Sequence, residues 1–96
     1  MNNKMMSMFE IYIGHDNAKE ERFKQYLIEH ICNNFFIGYT LIKTDGLWKG
    51  QTEKSYLIKI ISSDRKKVIK LKKKLQKELK QDSILVTQHD LKNADF

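Results

Sequence analysis

Residues 56–79 read YLIKIISSDRKKVIKLKKKLQKEL, and the spacing of their apolar side chains changes part-way along the stretch. Residues 56–61 are mostly aromatic, branched or aliphatic, which is typical of a strand. The Ser-Ser-Asp at 62–64 is a good helix start. Apolar residues then recur three or four positions apart at Val68, Leu71, Leu75 and Leu79. The stretch therefore predicts a strand followed by an amphipathic helix.

The same order of strand and helix occurs earlier in the chain. Residues 9–13 alternate apolar and polar side chains, as a strand with one face on a core does, and Gly14 ends the alternation. Asp16 or Asn17 can cap a helix, with Glu20 as the reciprocal partner of a capping box. The predicted helix continues to about residue 34, with one face formed by Phe23, Leu27, Ile31 and Asn34 and widened by Tyr26, Ile28 and Cys32.

Two further segments have the composition of strands. Residues 39–43 are expected to pair with the strand at 56–61. Their connection, residues 44–54, contains two glycines, which favours a long structured tip over a tight two-residue turn. Residues 84–87 form the last strand. The resulting order βαββαβ predicts a ferredoxin-like fold of the α+β class, with one antiparallel sheet and both helices on one of its faces.

The other face of such a sheet has no helix over it. We expect it to include some of Tyr12, Tyr39, Leu57 and Leu85, depending on strand register. A face that is partly apolar favours self-association, so a homo-oligomer, a dimer or a trimer, is expected.

Length and composition limit the classes of protein. Ninety-six residues suffice for one core, so residues 1–96 are predicted to be a single domain with loose tails at 1–7 and 90–96. Cys32 is the only cysteine, so we expect no disulfide, no metal site, no cofactor and a reducing cytoplasm. No segment has the length of a signal peptide or membrane span. The bias toward Asn, Lys and Ile suggests an AT-rich genome and a possible phage origin.

The net charge of +6 is concentrated in the second predicted helix. Residues 65–80 hold nine of the 18 basic residues and one of the 12 acidic ones, which leaves the rest of the chain slightly acidic. Like charges four positions apart disfavour a helix, so such a cluster is typical of binding to an acidic protein or to nucleic acid. The alternative is a solvated face whose long stems cover the edge of the core. The predicted basic patch is Arg65, Lys66, Lys67, Lys70, Lys73, Lys74 and Lys77.

The connection from Asp45 to Lys54 carries the densest chemistry of the chain. It holds two glycines and the only tryptophan beside lysine, threonine and glutamine. Glycines let a backbone approach an anion closely, lysine adds charge and tryptophan offers a stacking surface. The candidate ligand residues are Gly46, Trp48, Lys49, Gly50, Gln51, Thr52 and Lys54. The alternative is a scaffolding tip whose tryptophan packs on the helices or on a neighbouring subunit.

The segments Gly38–Leu41 and Gly46–Glu53 resemble the second strand and the loop base of P-II-like signalling proteins. The resemblance covers about a third of the chain, within the same order of elements. It implies an assembly of three subunits with adenine nucleotides in the clefts between them. The family's long regulatory loop and its modified tyrosine have no counterpart here. The positions that the resemblance assigns to the ligand are Gly46, Lys49, Gly50, Gln51 and Thr52.

The sequence patterns for catalysis and for RNA binding are weaker than the ligand-binding pattern of residues 45–54. His15, His30 and His89 each stand beside an acid, but neighbouring residues on a helix do not face each other. Cys32 lies on the apolar side of its helix, where a buried hydrophobe is expected rather than a nucleophile. Residues 11–14 resemble the first-strand motif of RNA recognition modules, yet the third strand offers only one aromatic residue, Tyr56, for stacking.

These features together predict a protein that is not an enzyme. We expect an oligomeric binding protein for an anionic small molecule, with a nucleotide first in line, and a role in sequestering a signalling nucleotide, as a phage anti-defence protein would. The alternative is an inhibitor of a larger protein, or a binder of nucleic-acid surfaces, that acts through the lysine-rich helix.

Overall fold

The computed structural model describes residues 5–14, 21–48, 51–81 and 83–92. Its elements are β1 (Ser7–Gly14), α1 (Glu21–Asn33), β2 (Thr40–Trp48), β3 (Gln51–Ser62), α2 (Arg65–Glu78) and β4 (Leu85–Asp90). The sheet order is β2-β3-β1-β4, and each neighbouring pair of strands is antiparallel. The predicted ferredoxin-like fold is therefore confirmed. Neither helix of the described residues is long and apolar enough to cross a membrane.

The core lies between the sheet and the two helices. Alternate residues are buried in β1 and in β3 from Tyr56 to Ile60, so one face of the sheet is apolar at its centre. α2 closes this face with three of the four residues predicted from its periodicity, whereas the fourth, Leu79, is the C-cap and is only partly buried. Burial of each large side chain contributes roughly 1.5 to 3 kcal/mol. The main core residues are Phe9, Ile11 and Ile13 of β1, Tyr56, Ile58 and Ile60 of β3, and Val68, Leu71 and Leu75 of α2.

The face that α1 turns to the core differs from the prediction. Phe23 and Tyr26 were expected to belong to the apolar stripe, but they are 67% and 68% exposed. Lys24 takes the inward position instead, and its Nζ donates a 2.7 Å hydrogen bond to the carbonyl oxygen of Gly14. Lys24 lies one turn before Ile28 on the inward side of the helix, whose buried apolar residues are Ile28, Ile31 and Cys32. Asn34 is also exposed, and the predicted capping residues Asp16, Asn17 and Glu20 lie outside the described residues.

α2 begins and ends with hydrogen bonds to its free backbone groups. Asp64 is the N-cap, as expected, and its carboxylate accepts a 3.0 Å hydrogen bond from the amide of Lys67. At the other end the amides of Lys80 and Gln81 donate to the carbonyls of Lys77 and Gln76, in the pattern of a Schellman motif. Lys80 has a φ of 53°, the left-handed conformation that this motif requires after the last helical turn.

Replacing Lys80 by glycine is expected to stabilise the protein. A residue with a side chain costs roughly 1 kcal/mol in the left-handed region, whereas glycine adopts it freely. Lys80→Gly should therefore raise the free energy of unfolding by about 0.5 to 1 kcal/mol in urea titrations. Lys80→Ala removes the same charge but keeps the strain, so it is the matched control. Equal stabilities of the two variants would contradict the expectation.

The β2–β3 hairpin is tighter than predicted. Its ladder continues from Thr40 opposite Lys59 to Trp48 opposite Gln51, which leaves two residues for the connection. The expectation of a long tip was wrong because the alternating backbone hydrogen bonds continue through the strand glycine at 46. β1 pairs with β3 only as far as Gly14 opposite Ser55. Within the described residues, the last four pairs of the hairpin therefore have no third strand beside them, and we call residues 45–54 the arm.

The sheet is longer at the chain ends than predicted. Ser7 and Asp90 were assigned to loose tails, but they face each other in the ladder between β1 and β4. The Oγ of Ser7 is buried and donates a 3.1 Å hydrogen bond to Oδ1 of Asp90. The ladder thus extends the last strand beyond the predicted residues 84–87. The outer parts of the predicted tails, residues 1–4 and 93–96, lie outside the described residues.

Candidate functional site

Two hydroxyl groups lie at the base of the arm, next to a glycine that leaves the sheet surface open. Thr44 and Ser55 are opposite each other in the ladder, and their Oγ atoms are 2.6 Å apart. Gly14 is the next residue across the sheet. A Cβ added at Gly14 would meet no atom within 4 Å, so there is room beside the hydroxyl pair. A small polar group can approach the sheet there.

The carbonyl oxygen of Gly14 joins three parts of the fold at the same place. It accepts one hydrogen bond from Nζ of Lys24 in α1 and a 3.2 Å bond from Nε2 of Gln81, which follows α2. Lys24 is buried, so its positive charge is held next to the end of β1 rather than in solvent.

The sequence prediction missed this part of the site. Lys24 carried the one usable signal, because it lies four positions before Ile28 and so interrupts an apolar stripe with a cation. The sequence carried no such signal for Gln81, Thr44 or Ser55. Their proximity depends on strand register and on the path of the chain after α2.

The predicted ligand residues lie on the arm. Backbone register places Gly46 opposite Glu53, Trp48 opposite Gln51, and Lys54 opposite Asp45. They are therefore neighbours in one two-stranded ribbon that begins at the arm base. Their role in binding stays a prediction. Of the seven residues, Gly46, Trp48, Gln51, Thr52 and Lys54 belong to the strands, and Lys49 and Gly50 lie outside the described residues.

The sheet face that the helices leave uncovered, which we call the open face, carries an apolar row. Register aligns Ile42, Leu57, Tyr12 and Leu85 across all four strands. Tyr12 is 40% exposed and Leu85 is more exposed still. Three of the four residues predicted for this face are thus found there, although Leu57 is partly covered.

Tyr39 is the exception among the residues predicted for the open face. It precedes β2 and packs against the core on the side of the helices. Its hydroxyl donates a 2.9 Å hydrogen bond to Oδ1 of Asn33 and also contacts the carbonyl of Glu29. Burial raises the pKa of this hydroxyl, so it stays protonated as the donor. Tyr39 is therefore the one candidate that does not belong to the open face, because it precedes β2 and packs on the side of the helices.

A polar cluster borders the apolar row. Glu10 lies between Lys59 and Thr87 in the ladder, and its Oε1 is 3.1 Å from Nε2 of His89. The hydroxyl of Tyr12 contacts the other carboxylate oxygen at 3.4 Å. Sequence reasoning treated His89 as isolated because its partner belongs to the opposite end of the chain. The open face therefore combines apolar area with polar side chains, as many association surfaces do.

A groove of about 340 Å³ separates α1 from α2 on the other side of the molecule. Its floor is apolar and its rim holds an ion pair between Lys74 and Glu78 at 2.9 Å. The ring of His30 stacks on Tyr26 with centroids 6.5 Å apart, rather than pairing with an acid. The groove is lined by Leu27, His30, Ile31, Asn34, Phe35, Lys74 and Glu78.

The predicted basic patch divides into two groups. Three of its cations have partners: Arg65 donates to Gln88, Lys67 lies 4.9 Å from the centroid of the Phe36 ring, and Lys74 pairs with Glu78. The other four have no ion-pair partner within the part of the chain that the structure describes. They are Lys66, Lys70, Lys73 and Lys77.

The described residues offer neither a metal centre nor a reactive thiol. Among them, no three His, Cys, Asp or Glu side chains come close enough together to hold an ion. Cys32 is fully buried, as predicted. Burial, with a smaller contribution from Glu29, raises the pKa of its thiol to about 12. The thiolate that would act as a nucleophile is therefore rare at physiological pH.

Cys32 is expected to resist thiol reagents in the folded protein. With a pKa of about 12, roughly one molecule in ten thousand carries the thiolate at pH 8, and burial also blocks access. Labelling with iodoacetamide should be at least about a hundredfold slower than in the same protein unfolded in guanidinium chloride, as followed by intact mass. Fast labelling of the native protein would show that this part of α1 opens easily.

The chain matches one protein family over nearly its whole length. Residues 8–96 match DUF3574, described as a protein of unknown function. No curated protein shows a significant match to the sequence.

Several solved structures share the fold. A phage SAM lyase in its apo state is 21% identical, with a TM-score of 0.64 over 94% of this chain and 84% of its own. A DUF3240 family protein from Shewanella baltica has a TM-score of 0.66 at 11% identity, over 94% of each chain. The PII-like protein CPII from Thiomonas intermedia, bound to ADP, AMP and bicarbonate, has a TM-score of 0.56 at 17% identity over 96% of each chain. Identities this low establish the fold alone.

Proposed function

Because the chain belongs to the DUF3574 family, whose function is unknown, we propose a function from its candidate site. The protein binds an anionic, adenosine-containing small molecule at the arm base, as part of a homo-oligomer, and does no chemistry on it. One observation carries this proposal: the arm extends past the last described pair between β1 and β3, and it begins where Lys24 and Gln81 converge on Gly14. A two-stranded hairpin of four residue pairs is only marginally stable by itself, so contact with a ligand or a second subunit would stabilise the arm more than the rest of the sheet.

The open face supplies the surface for self-association. Its row of Ile42, Leu57, Tyr12 and Leu85 crosses the full width of the sheet. A small domain gains stability by covering such a row, and a second copy carries the complementary row by symmetry. Association through this face would bring arm bases of different subunits near one another, which makes a cleft for a ligand.

The class of ligand follows from charge and from similar folds. The predicted ligand residues Lys49 and Lys54 favour phosphate or another anion. CPII is bound to ADP and AMP, and the phage enzyme acts on SAM. All three of these ligands contain an adenosine group. The predicted stacking residue Trp48 suits an adenine base. Sequestration of an adenine signalling nucleotide by a phage-encoded protein is the specific role that we infer.

The similarity to a phage SAM lyase favours one second candidate, an enzyme that breaks down an adenosine-containing substrate. The unreactive Cys32 and the lack of a metal-binding group in the described residues favour binding instead. The two candidates differ in what happens to the ligand. A binding protein returns it unchanged after incubation, whereas a lyase converts it.

Thermal melts with a set of adenosine compounds test the proposed function. We expect AMP, ADP, cyclic AMP or SAM to raise the melting temperature, because a ligand at 100 times its dissociation constant adds about 2.7 kcal/mol. Separate melts with adenosine and with ribose 5-phosphate show how much of the rise in melting temperature comes from the base and how much from the phosphate. Chromatography of the recovered ligand should show it intact. The absence of any shift across the set would reject the proposal, and a converted ligand would favour the lyase.

A further inference from the structure

Four lysines form a line along the exposed side of α2. Lys66, Lys70, Lys73 and Lys77 are four, three and four positions apart, so they lie along one side of the helix. We call them the lysine stripe. The buried residues Val68, Leu71 and Leu75 lie on the opposite side, so the stripe faces solvent. At 1.5 Å per residue it is about 16 Å long.

Within the described residues, ion pairs do not balance the charges of the lysine stripe, although Glu78 also attracts Lys77 electrostatically. The only acid of α2, Glu78, is already hydrogen-bonded to Lys74, which lowers the pKa of its carboxyl group. No acidic group in the described ranges pairs with a lysine of the stripe. Like charges three and four positions apart destabilise a helix, whereas a surface made for solubility alternates the two signs. An external anion would remove this repulsion.

The chemistry of the stripe favours phosphates over a protein. Protein interfaces are rich in aromatic residues, methionine and arginine and are poor in lysine. The stripe has none of the favoured residues, and the neighbouring cations Arg65 and Lys67 are engaged elsewhere. Lysine ammonium groups bind phosphate as point charges and do not need a fixed geometry. An open concavity of about 440 Å³ beside the C-terminal half of the stripe, lined by Lys72, Lys73, Gln76, Lys77 and Gln81, gives room for a phosphate group.

We propose that the lysine stripe binds the phosphate backbone of nucleic acid without reading its sequence. About 16 Å of duplex axis carries roughly nine phosphate charges, which is ample for four lysine contacts. The stripe offers no arginine fork or aromatic ring for base edges or base stacking, so selectivity for sequence is not expected. This function is separate from ligand binding at the arm base.

Salt dependence of binding tests the proposal with the full chain. Labelled mixed-sequence DNA of about 20 base pairs, and one of its strands alone, are titrated with protein between about 50 and 200 mM salt, with fluorescence anisotropy as the measurement. Four phosphate contacts predict that the logarithm of affinity falls with the logarithm of salt with a slope of about −3.6 for the duplex and −2.8 for the single strand. Lys70→Gln with Lys73→Gln should reduce the duplex slope by about 1.8.

The matched control removes two charges from the same helix but from cations that have partners. Lys67→Gln with Lys74→Gln has the same net charge as the stripe variant, and its slope should stay near that of the original protein. Glutamine is a good helix former, and circular dichroism checks that both variants are folded. The proposal fails if the two variants lose equal affinity, or if neither nucleic acid binds. It also fails if polyglutamate competes as strongly as DNA, which would indicate an acidic protein partner.

Discussion

Replacing Tyr12 by glutamate is expected to separate the proposed oligomer into monomers that remain folded. Tyr12 lies in the middle of the apolar row and is 40% exposed in the single subunit, so the change costs the monomer little. In an interface the new carboxylate would be buried without a partner and close to the carboxylate of Glu10. Breaking a buried contact in this way costs roughly 3 to 5 kcal/mol. Self-association should therefore weaken by at least about a hundredfold.

Sedimentation and thermal melts of the same samples check this expectation. Phe23→Glu is the control, because it exchanges an exposed aromatic residue for the same acid on α1, in the helix layer. The control should keep the subunit number of the original protein. If Tyr12→Glu remains oligomeric while Phe23→Glu separates, subunits meet through the helices. A monomeric original protein would reject the open face as an association surface.

Removing the arm is expected to abolish ligand binding and to leave the fold of the subunit nearly unchanged. In the part of the chain that the structure describes, no third strand pairs with residues 45–54, and Thr44 and Ser55 already face each other at their base. The pair Asn-Gly forms the two-residue turn that suits a hairpin, so it can replace the arm directly. The free energy of unfolding should change by less than about 1 kcal/mol, whereas the rise in melting temperature with nucleotide should disappear.

A point substitution refines the deletion. Trp48→Ala should weaken ligand binding or assembly by about 1 to 3 kcal/mol, the contribution of one aromatic stacking contact. A loss of about 3 to 5 kcal/mol in subunit stability, with unchanged binding, would instead show that Trp48 is a buried anchor. If the protein without the arm still binds nucleotide with its original affinity, the ligand site is elsewhere on the molecule.

The elements were predictable where the pattern of one segment decides its structure. The alternation in β1 and the helical spacing in α2 both gave the correct buried faces, since each depends on side chains a few positions apart. The rotation of α1 was not predictable, because its apolar side chains cover more than one face and the inward position of Lys24 is visible only from its contact with Gly14. The length of the hairpin ladder was missed because the strand propensity of its residues is low.

The part of the candidate site that depends on a single segment was predictable, and the part that depends on contacts between segments was not. The residue types of the arm indicated a binding role, and their position at one end of the sheet requires the register. Contacts such as Glu10 with His89, or Gln81 with Gly14, join distant parts of the chain and leave no local pattern. The division of the basic patch into paired and unpaired cations likewise depends on partners in other elements, such as Gln88 and Phe36.

The hydrogen bond between Ser7 and Asp90 marks one end of the sheet, where β1 begins and β4 ends. The backbone amide of Leu91 also donates to the carbonyl of Met6, so the first and last strands leave the sheet side by side. The arm base lies at the opposite end of β1, about 23 Å away at 3.3 Å per residue. A fluorophore attached at Met6 or Leu91 would therefore lie at the end of β1 that is farthest from the arm base. Such a label leaves the proposed ligand site uncovered.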